Sequence, residues 1–330
     1  MNNRTAHEQR LTAGAAAALK AIARRPDIKM HIEQEPQLYT LLQRAAARYV
    51  TGEQRPQALA VAHQLHDEGY AVSLEYIGEN TVSAAACQQA TAELAGVLTE
   101  LGEQGIGGRV SFDLSHIGLL VDRELALAHL LQLGELAHTY GIELFISMEE
   151  SAKTEAILQL YRQAVAVYPL IGITLQAHLH RTWADAAVLL TKDTRVRFVK
   201  GAYEEPDTLA LSRSAELDDR YVTLFELAVQ RGCRISLATH DETLIDRLRL
   251  SSWQGAASVE LELLYGIRPE LCVRLREQGY PVRVYLTYGQ EWYLYLCHRI
   301  AEYPPNLYQA LIDMVGGQAE APMMQYCLSK

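Results

Sequence analysis

Hydrophobic positions along the chain change period near residue 70. Before that point, Ala-rich stretches at Ala13–Ala23 and Leu38–Tyr49 carry apolar residues at helical spacing, with Pro26 and Pro36 as breaks. Beyond it, short apolar runs alternate with longer helical ones. Eight of the short runs predict strands: Tyr70–Ile77, Arg109–Ser115, Ile142–Met148, Ile171–Ala177, Val196–Ala202, Arg234–His240, Ser258–Leu263 and Pro281–Thr287. The stretches between them, such as Ser83–Leu101 and Ala152–Tyr168, read as helices. Gly69, Gly141, Gly232 and Gly279 fall where a helix should stop before the next strand. Eight strand–helix units in succession predict an α/β fold, a (β/α)8 TIM-like barrel with an N-terminal helical arm. Residues 1–65 would form the arm and 66–330 the barrel, one domain overall. A doubly wound sheet is the competing architecture. Its dinucleotide fingerprint is missing, because Gly105-Ile106-Gly107-Gly108 precedes a strand instead of following one. Neither a P-loop nor a G-x-S-x-G elbow occurs.

Composition narrows the class. At 330 residues, 49% hydrophobic and 21% charged, the chain can bury a sizeable core. Thirty Lys+Arg against 40 Asp+Glu leave a net charge of −10, with no basic run, which disfavours nucleic acid as a partner. Five scattered cysteines (Cys87, Cys233, Cys272, Cys297, Cys327) contain no C-x-x-C, so they read as buried free thiols in a reducing compartment. No apolar run approaches the ~20 residues needed to span a bilayer, and the N-terminus lacks the apolar core of a signal peptide. A soluble, cytoplasmic protein is expected.

In a (β/α)8 barrel the chemistry gathers at the C-terminal ends of the strands. There the sequence places Asp113, then Ser147 with Glu149 and Glu150, then Gln176 with His178. Lys200, Gly201 and Ala202 follow, then Thr239, His240 and Asp241, then Glu262 and Tyr285. After the last strand, Tyr295, His298, Arg299 and Glu302 fall at i, i+3, i+4 and i+7 and share one helix face. One constellation, His178-x-His180 with Lys200 and His240, resembles a binuclear metal-dependent barrel hydrolase. Its H-x-H lies on the fourth strand instead of the first, and the eighth strand ends in Tyr285-Leu286-Thr287 without an aspartate, so no metal is expected.

A second constellation is a family resemblance. Arg195–Tyr203 (RVRFVKGAY) resembles the RLVKGAY strand of the proline dehydrogenases. In the same order, Gly52-Glu53 and Leu74–Glu79 resemble the family's first barrel unit, Met148–Ser151 and Leu175–Ala177 its third and fourth strand ends. Ala238–Asp241 resembles the sixth, Leu264–Arg268 the seventh, and Val284–Tyr293 the eighth strand with its helix. The resemblance implies a monofunctional, FAD-dependent enzyme of amino-acid metabolism. It would oxidise the carbon next to nitrogen in an amine or amino acid and pass electrons to a quinone or oxygen. With a quinone as acceptor, peripheral association at the inner membrane face is compatible with the sequence. The resemblance also assigns roles. Arg197 would sit beside the reactive flavin nitrogen and Gln176 at the pyrimidine edge. Lys200, Gly201 and Ala202 would line the cofactor, and Thr239 and His240 would contact its ring or tail. Arg197, Tyr203, His298 and Arg299 are the candidate catalytic residues. Leu264, Tyr285, Tyr295, Arg299 and Glu302, with Tyr203, match the family's substrate pocket.

Three pocket positions depart from the family. Its second-strand lysine is Asp113 here, its third-strand aspartate is Ser147, and the first of its paired arginines is His298. Those changes are −2, +1 and −1, so the pocket is two charges more negative. An arginine pair grips a carboxylate by charge-assisted bonds of roughly 1.5–3 kcal/mol each, and one arm of that grip is gone. Arg181 and Arg268 are the candidate replacement cations. Three readings follow: a changed, proline-like substrate; free proline in a rearranged pocket; or a flavin-binding scaffold without catalysis.

Overall fold

Pro26 and Pro36 each occupy the first turn of a helix, where a missing N–H costs nothing. They therefore open α1 (Pro26–Gln34) and α2 (Pro36–Ala46) as well as ending what precedes them. The computed structural model describes residues 11, 14–19, 21–23, 25–251, 253, 258–303, 305–316 and 325–327. Within the predicted Ala13–Ala23 helix, residues 14–19 and 21–23 are helical. Ala13 and Lys20 lie outside the described residues, as do residues 1–10 of the predicted arm.

All eight predicted strands form: β1 (Ala71–Tyr76), β2 (Arg109–Phe112), β3 (Glu143–Ile146), β4 (Ile171–Gln176), β5 (Arg195–Val199), β6 (Arg234–Leu237), β7 (Val259–Leu264) and β8 (Val282–Tyr288). Each pairs in parallel with the next, and β1 closes the barrel on β8 from Ala71↔Arg283 to Tyr76↔Tyr288. The connecting helices are α3 (Arg55–Asp67), which precedes β1, then α4 (Ala84–Glu103), α5 (Arg123–Tyr140), α6 (Ser151–Val165) and α7 (Thr182–Leu189). They continue with α8 (Ala215–Gln230), α9 (Glu242–Leu250), α10 (Pro269–Glu277), α11 (Trp292–Glu302) and α12 (Pro305–Val315). Ser83, Asp122, Ser214 and Asp241 cap α4, α5, α8 and α9 by accepting a first-turn N–H. Gly141 ends α5 at φ 68°, the left-handed stop that the sequence signalled.

Strand alternation sorts the side chains. Val110, Leu144, Ile173, Val196, Ile235, Leu261 and Val284 are buried in the apolar core shared with the helices. The opposite faces fill the barrel with charge. Arg109 contacts Glu143 (2.7 Å), Glu260 (2.9 Å) and Glu262 (2.9 Å), while Arg283 binds Glu260 at 2.8 Å and Arg195 binds Glu143 at 3.0 Å. Ser236 donates to Glu260 and accepts from Arg109. Buried ions of this kind persist only when paired and hydrogen-bonded, and here each guanidinium meets a carboxylate.

Outside the barrel, α3 buries Ala58, Leu59, Ala62 and Leu65 in the main core. A second apolar cluster joins Ala45, Ala46 and Tyr49 to Trp292, Leu296, Ile300 and Ala310. Arg48 locks it with a two-bonded ion pair to Asp313 (2.6 and 2.8 Å). The first helices thus brace α11, the helix that carries the polar face predicted at residues 295–302.

Candidate active site

The ends of β1, β2 and β3 bring carboxyls together. Glu149 is fully buried and accepts the Ser115 N–H at 2.9 Å. Burial, then Glu149, Glu75 and Glu79, push the Asp113 carboxyl well above its ordinary value, with Lys153 opposing. Burial likewise raises Glu75 to about 7, against a hydrogen bond from Tyr285 and the charges of Arg197 and Arg299. Burial first, then Asp113 and Glu79, raise the Tyr203 hydroxyl above its ordinary value. Ser147 continues the β2–β3 ladder, donating its N–H to the Phe112 carbonyl at 3.0 Å.

The cation facing this cluster is Lys153, on the first turn of α6. Its ammonium contacts Glu149 (2.6 Å), Glu150 (2.8 Å) and the Asn80 side-chain oxygen (2.6 Å). Arg181 and Arg268 do not fill that role. Arg181 pairs with Glu155 and Asp185, and Arg268 with Glu242 and Glu270, all on the helix side of the strand ends.

The α11 face closes the other side. Tyr295, His298 and Arg299 are part-buried, and Arg299 sits with its guanidinium carbon 4.8 Å from the Tyr295 ring centre. Glu302 takes one Arg299 nitrogen at 2.7 Å, while the Arg299 Nε is buried without a partner. Glu302 is therefore a partner of Arg299 at the rim, with its side chain 42% exposed. Arg197 lies against the Tyr285 ring at 4.9 Å, and its guanidinium is held by Glu262 through two bonds of 2.7 and 2.8 Å.

The residues expected to cradle a cofactor lie on or just beyond the ends of β4 to β6. Gln176 donates its amide to the Glu149 carbonyl at 2.9 Å, leaving its own oxygen to accept. Gly201 adopts φ 112°, and a Cβ there would fall 1.8 Å from His178 Nδ1. Both ring nitrogens of His178 are buried without partners. His240 accepts the Leu264 N–H on Nε2 at 3.2 Å, and burial with Arg299 and Arg268 holds it neutral, down to about 3. Thr239 accepts the Asp241 N–H, and Ala202 is exposed. Lys200 pairs with Asp218 (2.6 Å) and Asp241 (2.7 Å). An unpartnered buried imidazole, an open amide oxygen and a glycine-lined approach fit a flat, hydrogen-bonding ring cofactor. The metal-barrel constellation is dispersed: His180 meets the Asp207 carbonyl, and Lys200 and His240 have the partners given above. Among the described residues no group of three or more His, Cys, Asp or Glu could hold a metal ion.

The fold is a (β/α)8 barrel, and the comparisons with known proteins give its class, a flavin-dependent oxidoreductase. The family model for proline dehydrogenase matches residues 58–306. The chain is 32% identical over 264 residues to proline dehydrogenase 1 of Bacillus subtilis, covering 79% of this chain and 87% of that protein. It is 32% identical over 308 residues to the proline dehydrogenase of Deinococcus radiodurans, covering 91% and 97%. A crystal structure of proline utilization A from Bdellovibrio bacteriovorus superposes with a TM-score of 0.72 at 18% identity, over 83% of this chain and 36% of that one. The chain belongs to the proline dehydrogenase family: an FAD-dependent dehydrogenase acting on a proline-type substrate. Among the described residues no helix is long and apolar enough to cross a membrane.

Several residues of the site carry no role in the sequence reading. Glu75 and Glu79 there belong only to a motif, and Lys153 is absent. Strand parity is the signal that finds Glu75, because it shares the inward face of β1 with Ser73, whose hydroxyl meets Ser111 at 3.2 Å. Lys153 has a weaker signal, its i+3 and i+4 spacing from Glu150 and Glu149.

Proposed function

We propose that the protein oxidises a proline-like cyclic amine held chiefly through its ammonium group, with the carboxylate masked or absent. The raised carboxyls of Glu75 and Asp113, with the Lys153 ammonium already bound to Glu149 and Glu150, carry this reading. A site that raises its own carboxyls gains from a cation, which relieves repulsion that water does not reach. A carboxylate on the ligand would meet the same charges and lose by them.

Gln176, Arg197, Lys200, Gly201, Ala202, Thr239 and His240 would hold FAD, which when bound supplies the hydride acceptance that turns H–C–N into C=N. The rest falls to the side chains. Asp113 and Glu79 bind and orient the ammonium. Glu75, at about 7, is suited to take its proton, because an amine must be neutral before it can yield hydride. Tyr285 donates to Glu75 and holds it in place, and Tyr203 and Tyr295 wall the ring and exclude water. His298 shares the α11 face with Arg299 and would orient the ligand from that side. The electrons would leave to a quinone or to oxygen.

Free proline is the second reading, and the unpartnered Arg299 Nε favours it, since a carboxylate could complete that guanidinium. Anaerobic flavin bleaching separates the two. L-Prolinamide, with the same ring and a masked carboxylate, is expected to bind at least tenfold tighter than L-proline. Tighter binding and faster bleaching by L-proline would overturn the masked-carboxylate reading.

A further inference from the structure

Glu262 has no role in the substrate pocket, yet arginines bind both of its oxygens inside the barrel. It rises from β7 into the interior, with its side chain 1% exposed, and takes Arg197 by two bonds at once. Its Oε2 also accepts from Arg109 at 2.9 Å. Burial opposes its ionisation, but Arg197 and Arg109 outweigh burial and hold it at about 2, so it is a carboxylate at every working pH. Two further donors of Arg197 go to Ser111 (2.8 Å) and, at the edge of bonding distance, to Thr174 (3.3 Å). The guanidinium is therefore fixed in direction and paired in charge.

Two consequences follow for any group that Arg197 faces. Its orientation is set from below, by β7, and not by the ligand. Its positive charge is largely cancelled by a carboxylate less than 3 Å away, with Arg109 returning part of that charge. Taken together, Arg109, Arg195, Arg197 and Arg283 oppose Glu143, Glu260 and Glu262, an excess of one positive charge beneath the pocket.

We propose that Glu262 is the positioning residue that sets the reduction potential of the bound flavin, by fixing Arg197 and damping its charge. This rests on the reading of Arg197 as a flavin-facing residue. A cation beside the ring favours the reduced, anionic form and so raises the potential. A carboxylate paired to that cation lowers it. In holding the potential down, Glu262 keeps the reduced cofactor ready to pass its electrons on.

The test is the midpoint potential of the FAD-loaded protein, measured by dye-coupled reductive titration, for wild type, Glu262→Gln and Glu262→Asp. Glu262→Gln keeps the shape and acceptor oxygen and removes the charge. Reduction should become at least tenfold more favourable, an upward shift of about 30 mV or more for two electrons. Glu262→Asp keeps the charge, holds the core together if the Gln variant does not fold, and withdraws the carboxylate by one methylene. Its shift should be upward and smaller. An unchanged or lowered potential in either folded, FAD-bound variant overturns the proposal, as does loss of FAD binding by a folded variant. A wild-type protein that does not take up FAD would instead overturn the reading of the cofactor residues, before Glu262 is tested.

Discussion

Replacing Glu75 by Gln should stabilise the protein increasingly as pH rises from about 5, and fully above about 7. The Glu75 carboxyl stands at about 7 in the folded state against an ordinary 4.5, chiefly because burial penalises its charge. Between those values the folded protein holds a proton that the unfolded chain has released. Stability therefore falls as pH rises through that window, and the loss is complete above about 7. Two and a half pH units at about 1.4 kcal/mol each set the cost near 3 kcal/mol. Gln keeps an oxygen for the Tyr285 hydroxyl and carries no charge to bury. In urea unfolding with FAD held constant, Glu75→Gln should exceed wild type by about 3 kcal/mol at pH 8 and by under about 1 kcal/mol at pH 5. Turnover should fall in the same variant, since a residue that takes the ammonium proton is lost, a common exchange of stability for activity. An equal difference at both pH values, or a loss of stability at pH 8, would refute a raised carboxyl at this position.

Two further substitutions probe the cradle and the acidic cluster. Gly201→Ala places a methyl on a residue at φ 112°, 1.8 Å from the His178 ring, so FAD affinity should fall at least tenfold and thermal unfolding should drop, by about 2 kcal/mol or more in stability. Lys153→Gln leaves the fully buried Glu149 without its cation and should cost about 3–5 kcal/mol in urea unfolding, with Lys153→Arg recovering most of it.

The barrel was legible because a parallel sheet writes itself twice, once as apolar runs facing the helices and once as helices of similar length between them. All eight strands form close to where the runs lie, and Gly141 stops its helix by the left-handed turn that position calls for. The strand-end rule also located Asp113, Gln176, His240 and Tyr285, because polar residues there have no packing reason to exist. The interior charges were hidden for the converse reason. Barrel interiors are ordinarily filled by branched aliphatics, so nothing in the sequence marks Arg109, Glu143 and Arg283, at the starts of their strands, as interior. Only the closed register, which sets Arg109 beside Glu143 on β3, makes them one network. Lys153 was hidden because a residue one turn into a helix reads as part of that helix, although its four-carbon stem reaches back over the strand end. Arg181 and Arg268 looked equally able from sequence, and helix-side acids hold both.

The two polar layers of this barrel differ in kind, paired ions below and buried carboxyls above, and amine oxidation has use for that. Below, four arginines, Arg197 among them, oppose three glutamates and leave an excess of one positive charge in the layer that holds Arg197. Above, burial holds the Asp113 and Glu75 carboxyls toward their protonated form, so they take up negative charge most readily beside a cation such as a bound ammonium. Tyr285 spans the boundary, its ring on Arg197 at 4.9 Å and its hydroxyl on Glu75. Moving hydride from an amine to an acceptor leaves positive charge on the carbon–nitrogen unit and carries negative charge away from it. Fixed charges arranged in that sense interact more strongly with the separated charges than with the neutral amine, which is the condition for lowering a barrier. The same arrangement explains why the carboxyls of the upper layer tolerate their crowding. Burial chiefly, with their acidic neighbours adding to it, holds them toward the protonated form in the empty site, and a bound ammonium offsets that cost, so Glu75→Gln and the comparison of prolinamide with proline test the same carboxyls.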